Sequence, residues 1–544
     1  MKKKVLLAMA IIATACLTGC NINVKLTPDE PASETVSEMN SENGQIIEDG
    51  SGATQNSGNE TTQNTGSETT QNTGSDSEAF DETSQAIKID IEAGEYYSMD
   101  SPCLWTVSYE YPVLDDARYP ELSMVIQDYR MNYVRNIEAA RDDLAALAEN
   151  DYSEYGAEQW MGYYSIVESM EVKRADATAV SILEKGYLYQ GGAHGSDGYG
   201  CFNVETKTGN KIALNDVVTD VNALPDIIAN ELLEVYPDIT YWTPTLAETF
   251  EAYIEPEITL TWTLDYNGVT FYFGSYEVGS YADGRQQVTV LYSEYPSIFN
   301  SYYFDGVTDD YVIPASAWGS LDVDVDADGD ADHITTVENY TDPASGFSSF
   351  TIYINGQEYT QEALGWVLDS YYVRANGKSY LYVTASAEGD YSETFVYGIM
   401  GSGIEYKGMF NGAMKYFTNS SDFCVAQRID MLGTLYGVAD CYVGTDGMPV
   451  KKYGVYDVSY MGYVMTSTKE ITAELVDENG NLTGETYTFP AGSTFAHLRS
   501  DGLIYVDMLV GDGQQCRFYT SNGVWPPTVN GMDATECFET IYGA

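Results

Sequence analysis

ITLTWTLDYNGVTFYF, residues 258–273, holds two alternating runs joined by a two-residue turn. Ile258, Leu260, Trp262 and Leu264 are apolar at every second position, and Val269, Phe271 and Phe273 repeat the pattern after Asn267-Gly268. A period of two marks half-buried strands, and Asn-Gly accepts the positive φ values of a tight hairpin turn. Upstream the period changes. After Pro120, the residues Leu122, Val125, Ile126, Tyr129, Tyr133, Ile137, Ala140, Leu144 and Leu147 recur every three or four positions. That spacing predicts one long amphipathic helix, ended by the polar Glu149-Asn150-Asp151 run. A second helix is predicted from Asn222 as N-cap through Leu224, Ile228, Leu232 and Val235 to Pro237. Strands are expected around Trp105–Tyr111 and over 165–173, 178–184 and 202–205, so helices and strands segregate as in an α+β domain spanning 85–300.

Beyond residue 300 the helical period disappears. Strands are predicted at 350–354 (followed by Asn355-Gly356), 380–384, 394–397, 453–458 and 504–509, with Gly-containing turns at short spacing. This is the pattern of an all-β region, a small propeller, sandwich or barrel. We expect it to divide into 301–487 and a possible SH3-like barrel over 488–544.

The 544-residue chain carries 25 Lys and Arg against 83 Asp and Glu, a formal charge of −58. A nucleic-acid binder is excluded, because phosphate contacts need clustered cations. Tyr is abundant at 47, whereas only 3 His are present, which starves any mechanism that needs several imidazoles.

The first residues read as an address. Lys2, Lys3 and Lys4 precede an apolar run from Val5 to Cys16, and Leu17-Thr18-Gly19-Cys20 follows. A charged head, a short apolar core and small residues before a cut form an export signal over 1–19. Leu17-Thr18-Gly19-Cys20 resembles the bacterial lipobox, which implies lipidation of Cys20 and a membrane anchor on the extracytoplasmic face. Residues 20–84 are almost wholly Ser, Thr, Asn, Gln, Gly and acid, with ETTQNTGS repeated at 60–67 and 68–75. Octads without apolar residues cannot stack as a solenoid, so they read as a tether spanning roughly 40–50 Å.

Two motifs within 85–300 point to a family. Tyr189-Gln190-Gly191-Gly192-Ala193-His194-Gly195 precedes Phe202-Asn203-Val204-Glu205-Thr206-Lys207-Thr208-Gly209. Phe271-Tyr272-Phe273 then leads to Tyr276-Glu277-Val278, Tyr281-Ala282-Asp283-Gly284 and Val288–Tyr292. Residues 95–300 thereby resemble the RsiV/PdaC-type extracytoplasmic domain, a domain of unknown function without a settled catalytic role. The resemblance implies binding at the cell envelope, with lysozyme as the ligand in the anti-sigma-factor relative. The signalling role and the deacetylase activity of the two relatives do not carry over to this chain. Gly191, Gly192 and His194 are the ligand-binding candidates, since glycines there permit a tight turn and close approach to the imidazole.

A second likeness lies in the β region. Asp324, Asp326, Asp328, Asp330 and Asp332 stand at alternate positions with Gly329 among them, and the spacing is similar to the calcium loops of integrin-type (FG-GAP) repeats. Ca²⁺ takes six to eight hard oxygens, which such a loop supplies, so a structural Ca²⁺ is the expected cofactor. A solvated acidic hairpin is the competing possibility. Thr335 stands where an EF-hand requires its bidentate Glu, which excludes that motif.

Six cysteines remain after Cys16 and Cys20: Cys103, Cys201, Cys424, Cys441, Cys516 and Cys537. Outside the membrane disulfides are permitted, with Cys424–Cys441 and Cys516–Cys537 the nearest in sequence, against buried free thiols. Together these features predict a lipid-anchored envelope binding or sensing protein whose partner is wall glycan or a cationic protein such as lysozyme. The alternative is a wall-modifying hydrolase or deacetylase, but no catalytic residue is marked by any motif.

Overall fold

A computed structural model describes residues 87–541, apart from 115, 158–159, 161, 240–245, 247–249, 251–259, 317–319, 326–327, 340–346, 388–390, 402 and 460–462. The export signal, Cys20 and the tether lie outside the described residues.

The first sheet has the order β1 (Asp90–Tyr97), β2 (Trp105–Val113), β3 (Tyr164–Ala175), β4 (Ala179–Tyr189) and β5 (Ser196–Glu205). All neighbours are antiparallel except β2 and β3, whose parallel pairing is bridged by the helix Pro120–Tyr155. Pro120 starts that helix without losing a bonded N–H, and Leu122, Ile126, Tyr129, Tyr133, Ile137 and Leu144 bury one stripe on the sheet. The helix runs one turn past its predicted end. Asp151 does not terminate it because its carboxylate is buried and accepts the Tyr164 hydroxyl at 2.9 Å.

A smaller unit follows, with the helix Leu224–Val235 packed on a three-stranded sheet of β6 (Thr261–Leu264), β7 (Gly268–Phe273) and β8 (Gln286–Leu291). The helix begins two residues after the expected Asn222, which lies in a 3₁₀ turn, Val221–Ala223. The anticipated hairpin forms, with Leu264 opposite Val269, but its turn is Tyr266-Asn267. The Asp265 N–H donates to the Gly268 carbonyl at 2.9 Å, Gly268 already belongs to β7, and neither Asn267 nor Gly268 takes a positive φ.

Two facing sheets then form a sandwich. One contains β10 (Ser320–Val323), β11 (Asp332–Asn339), β12 (Phe347–Ile354) and β13 (Gln357–Leu364). The other contains β9 (Tyr311–Ser316), β14 (Trp366–Ala375), β15 (Lys378–Ala387), β16 (Tyr391–Met400) and β17 (Gly403–Asn411). Val323, Ile334, Phe350 and Ile352 of the first meet Ile313, Leu381, Val383 and Phe395 of the second. Asn355-Gly356 closes β12–β13 at φ 48° and 71°, as a primed turn requires.

The next eleven strands are β18 (Ala413–Lys415), β19 (Phe423–Asp430), β20 (Thr434–Val443), β21 (Pro449–Lys451), β22 (Tyr456–Asp457), β23 (Val464–Thr466), β24 (Ile471–Val476), β25 (Leu482–Phe489), β26 (Thr494–Ser500), β27 (Tyr505–Val510) and β28 (Gln515–Tyr519). They form one sheet, so an α+β region is followed by an all-β one, as its periodicity indicated. Residues 488–544 do not stand apart as a barrel. β26 pairs with β22 and β23, β28 pairs with β24, and Phe489, Phe495, Phe518 and Phe538 share a core with Phe423 and Tyr382. Of the strand predicted over 453–458 only Tyr456–Asp457 pairs. All six described cysteines are free thiols. Cys424 faces Asp440 in the β19–β20 register, which turns Cys441 to the opposite face and rules out a bridge between them. No described helix is long and apolar enough to cross a membrane.

Several buried groups set a pH dependence, with burial raising Glu231 to about 7 and Asp265 to about 6 in the same direction as Glu168. Glu168 lies in β3 between Tyr109 and Gly186, and burial pushes its carboxyl up to about 8. Burial drives His497 down to about 4, although bonds to the Leu432 and Tyr463 carbonyls favour its charged form. A raised carboxyl costs stability progressively as pH rises from its unfolded range towards 8, and a depressed imidazole costs stability as pH falls from 6.5 to 4. Stability should therefore peak in mildly acidic solution. Glu168→Gln should flatten the alkaline limb, gaining up to about 4 kcal/mol near pH 9. Urea unfolding from pH 4 to 9 reads this, and an unchanged alkaline limb in the variant would rule out the assignment.

Candidate functional site

The GGAH motif forms the β4–β5 turn, where Gly191 and Gly192 take φ 80° and 101°. Gly195 is required by space: a Cβ there would stand 2.4 Å from Tyr187 Cζ and 2.6 Å from the Leu188 carbonyl. The turn presents His194 outward, exposed, with its ring stacked on Tyr281 at a 3.9 Å centroid separation. Nδ1 lies 2.8 Å from the Gly195 carbonyl oxygen, which can only accept, so Nδ1 carries the proton. Nε2 of the neutral ring is then left to accept from the Tyr276 hydroxyl at 3.3 Å. Tyr276 itself has φ 75°, a left-handed backbone that lifts its ring beside Tyr281 at 5.5 Å.

The loop carrying Tyr276 is tied to β5. Asp197 accepts the Ser275 N–H and the Ser275 hydroxyl, each at 2.9 Å, and Arg285 Nε lies 3.7 Å from its second oxygen. The two motifs that carried the family resemblance thus meet in one place. Of the residues the sequence marked, His194 is brought to Tyr276 and Tyr281, whereas Gly191 lies beside Tyr164 and the Gly192 carbonyl accepts the Tyr189 hydroxyl at 3.2 Å.

Behind Tyr187 and Arg285 opens a cleft of about 320 Å³. One wall is the face of the first sheet away from the long helix, including Glu171, Lys185 and Tyr187. Burial alone would raise the Glu171 carboxyl, but the Lys173 and Lys185 charges overcome it and hold the group at about 2. The opposite wall includes Tyr236, Gln287, Ser320 and His333. His333 Nδ1 stands 2.6 Å from Asp322 Oδ1, and Nε2 stands 2.9 Å from the Thr335 hydroxyl on the same strand. The other Asp322 oxygen accepts the Thr289 N–H from β8 at 3.1 Å. The Tyr236 hydroxyl donates to the Gln287 carbonyl at 3.0 Å and lies 3.1 Å from Ser320 Oγ. Asp322 and His333 therefore strut the sandwich against the unit before it. No motif spacing marks this pair, which arises because the β10–β11 register sets the two residues opposite each other.

Three of the described alternating aspartates accept hydrogen bonds within or beside their own hairpin. Asp332 accepts the Val325 N–H at 2.7 Å and the Asn355 amide at 2.5 Å. Asp324 accepts the Gly329 N–H at 3.2 Å, and Asp328 accepts the Asp330 N–H at 3.0 Å. Asp326 lies outside the described residues. Among the described residues no group of three or more His, Cys, Asp or Glu is arranged to hold a metal ion.

Comparison with known families places a domain over this region. Residues 215–293 match a family described as "Protein of unknown function (DUF3298)", so the chain contains a DUF3298 domain that includes β6–β8 and the Tyr276–Tyr281 loop. No curated protein matches the chain. A crystal structure of a DUF3298 family member from Bacteroides fragilis is similar at 19% identity, covering 40% of this chain and 96% of its own, with a TM-score of 0.29. A DUF3298 family protein from Pseudomonas aeruginosa is similar at 17% identity over 40% of this chain and 97% of its own, with a TM-score of 0.27.

Proposed function

We propose that the protein is a lipid-anchored, extracytoplasmic binding protein that takes a cationic protein ligand, such as lysozyme, on the rim formed by His194, Tyr276, Tyr281 and Tyr187. The observation that carries this is the state of His194. Both ring nitrogens are engaged, one by a backbone carbonyl and one by a tyrosine hydroxyl, and the ring lies flat on Tyr281. That arrangement fixes a surface; it does not poise a base beside a nucleophile. Exposed tyrosine faces attract Lys and Arg through their ring quadrupoles, and the segments that carry the rim also hold Asp197, Glu277 and Asp283, with Arg285 beside Asp197. The charge of −58 steers a basic partner towards the molecule at long range. The resemblance to the RsiV/PdaC-type domain supports the same assignment, with Cys20 as the anchor and 20–84 as the tether. Wall glycan is the second partner, favoured by the same exposed tyrosines, which also suit the apolar face of a sugar ring.

The test is retention of lysozyme by the immobilised chain at about 50 mM and about 500 mM salt, because screening shortens charge attraction several-fold over that range. Retention at low salt that weakens at high salt supports the proposal. No retention at low salt overturns it.

A further inference from the structure

A second recess of about 580 Å³ lies on the C-terminal sheet, within the size range of small-ligand pockets and outside the matched domain. Its floor is a cross-strand row. Asp457 of β22 stands opposite Arg499 of β26, Arg499 opposite Asp507 of β27, Asp507 opposite Arg517 of β28, and Arg517 opposite Glu474 of β24. Directly opposed residues share a face, so the row is a ladder of alternating charge. Asp507 at its centre is fully buried and accepts from Arg499 Nε at 3.0 Å and Arg517 Nε at 2.7 Å.

The arginines are already committed. Arg499 also donates to the Glu478 carbonyl at 2.9 Å, the Asp477 carbonyl at 3.2 Å and Gln515 at 2.6 Å, which staples the 477–481 turn over the ladder. Arg517 donates to the Gly480 carbonyl at 2.8 Å and lies 3.6 Å from the centre of the Tyr505 ring. The result is a stiff floor without an open guanidinium fork. A phosphate or carboxylate ligand finds no free partner there, and the lining acids Asp440, Asp457 and Glu478 repel it.

The groups that line the recess above this floor are of another kind. They are the carboxylates of Asp440 and Asp457, the amides of Asn479 and Asn481, and the rings of Tyr505 and Tyr453, the last 75% exposed. Carboxylates accept from hydroxyls, amides both accept from and donate to them, and tyrosine faces pack on the C–H face of a pyranose. A preformed floor lowers the ordering cost of binding. We infer that this recess is a binding site for a neutral glycan, with Tyr453 as the stacking platform and Asp457 as the hydroxyl acceptor. The site stands on its own residues and does not depend on the ligand of the rim.

The test titrates the full chain with chitotetraose (a neutral β-linked N-acetylglucosamine tetramer) and, separately, with tetralysine. Tyr453 and Asp457 are exposed, so Tyr453→Ala and Asp457→Ala should keep the parent melting curve. Each should weaken chitotetraose binding tenfold or more, and tetralysine should not displace the sugar. Absence of saturable sugar binding by the unmodified chain up to about 10 mM would overturn the inference. Sugar binding that survives both substitutions, or that is lost in Tyr276→Ala but kept in Tyr453→Ala, would overturn it as well. Displacement by tetralysine would reassign the recess to a basic peptide.

Discussion

Replacing Asp176 with alanine is expected to cost about 3–5 kcal/mol of stability, the loss typical when one partner of a buried ion pair is removed. Arg174 has no solvent exposure and is the largest fully buried side chain described. Its Nε donates to Asp176 Oδ2 at 2.9 Å, and a second guanidinium nitrogen reaches the same oxygen at 2.9 Å. The other Asp176 oxygen accepts the Thr178 and Ala179 N–H groups at 2.8 and 3.0 Å, closing the β3–β4 turn. Arg174 Nη1 also donates to the Asp265 carbonyl at 3.3 Å, so the pair joins the first sheet to the DUF3298 domain. Alanine would leave the guanidinium charged in a site that water cannot reach. Substituting Met for Arg174 as well should restore part of the loss, since an apolar side chain tolerates the site, but not the two turn bonds. Urea unfolding of the single and double variants measures both terms. A single-variant cost under about 1 kcal/mol would deny that the pair is buried.

The second large effect is expected from Gly195→Ala. The new methyl would meet the Tyr187 ring, which can swing away, but also the Leu188 carbonyl, which is fixed by the β4–β5 pairing. The turn must shift, at roughly 1–3 kcal/mol for overpacking. Because His194 is the adjacent residue, that shift carries its ring off Tyr281 and away from the Tyr276 hydroxyl. Ligand affinity at the rim should fall tenfold or more while the far C-terminal sheet keeps its melting behaviour. A variant that binds as the parent does would mean that the turn geometry has no part in recognition.

Local signals were legible where neighbours in sequence decide the outcome. The helix stripe from Leu122 to Leu144 and the alternation that pairs β6 with β7 follow from short-range pattern, and the Asn355-Gly356 turn follows from backbone preference. What depends on register was not legible. Asp151 continues a helix it was expected to end because Tyr164, thirteen residues on, satisfies its carboxylate. Cys424 and Cys441 lie on opposite faces because the β19–β20 pairing is offset by one residue from the arrangement a bridge would need. The boundary expected at Thr488 dissolves because β24, β25 and β28 pair across it.

The candidate site divides in the same way. The GGAH and YADG motifs pointed to a family and, of these residues, marked only His194 as a candidate; that His194, Tyr276 and Tyr281 meet is a result of the fold. Tyr187, Asp322 and His333 entered only through the fold, because no motif spacing connects them. The alternating aspartates show the converse: a conspicuous spacing whose described members satisfy backbone N–H groups of their own hairpin and one neighbouring amide.

The central claim is that the tyrosine rim holds a cationic protein, and the dissociation constant for lysozyme of the full chain carrying Tyr276→Ala and Tyr281→Ala addresses it most directly. Loss of two aromatic contacts should raise that constant by about 30-fold or more, equivalent to about 2 kcal/mol at 25 °C, with the melting curve preserved. A constant within about twofold of the parent's would show that the rim does not bind the ligand.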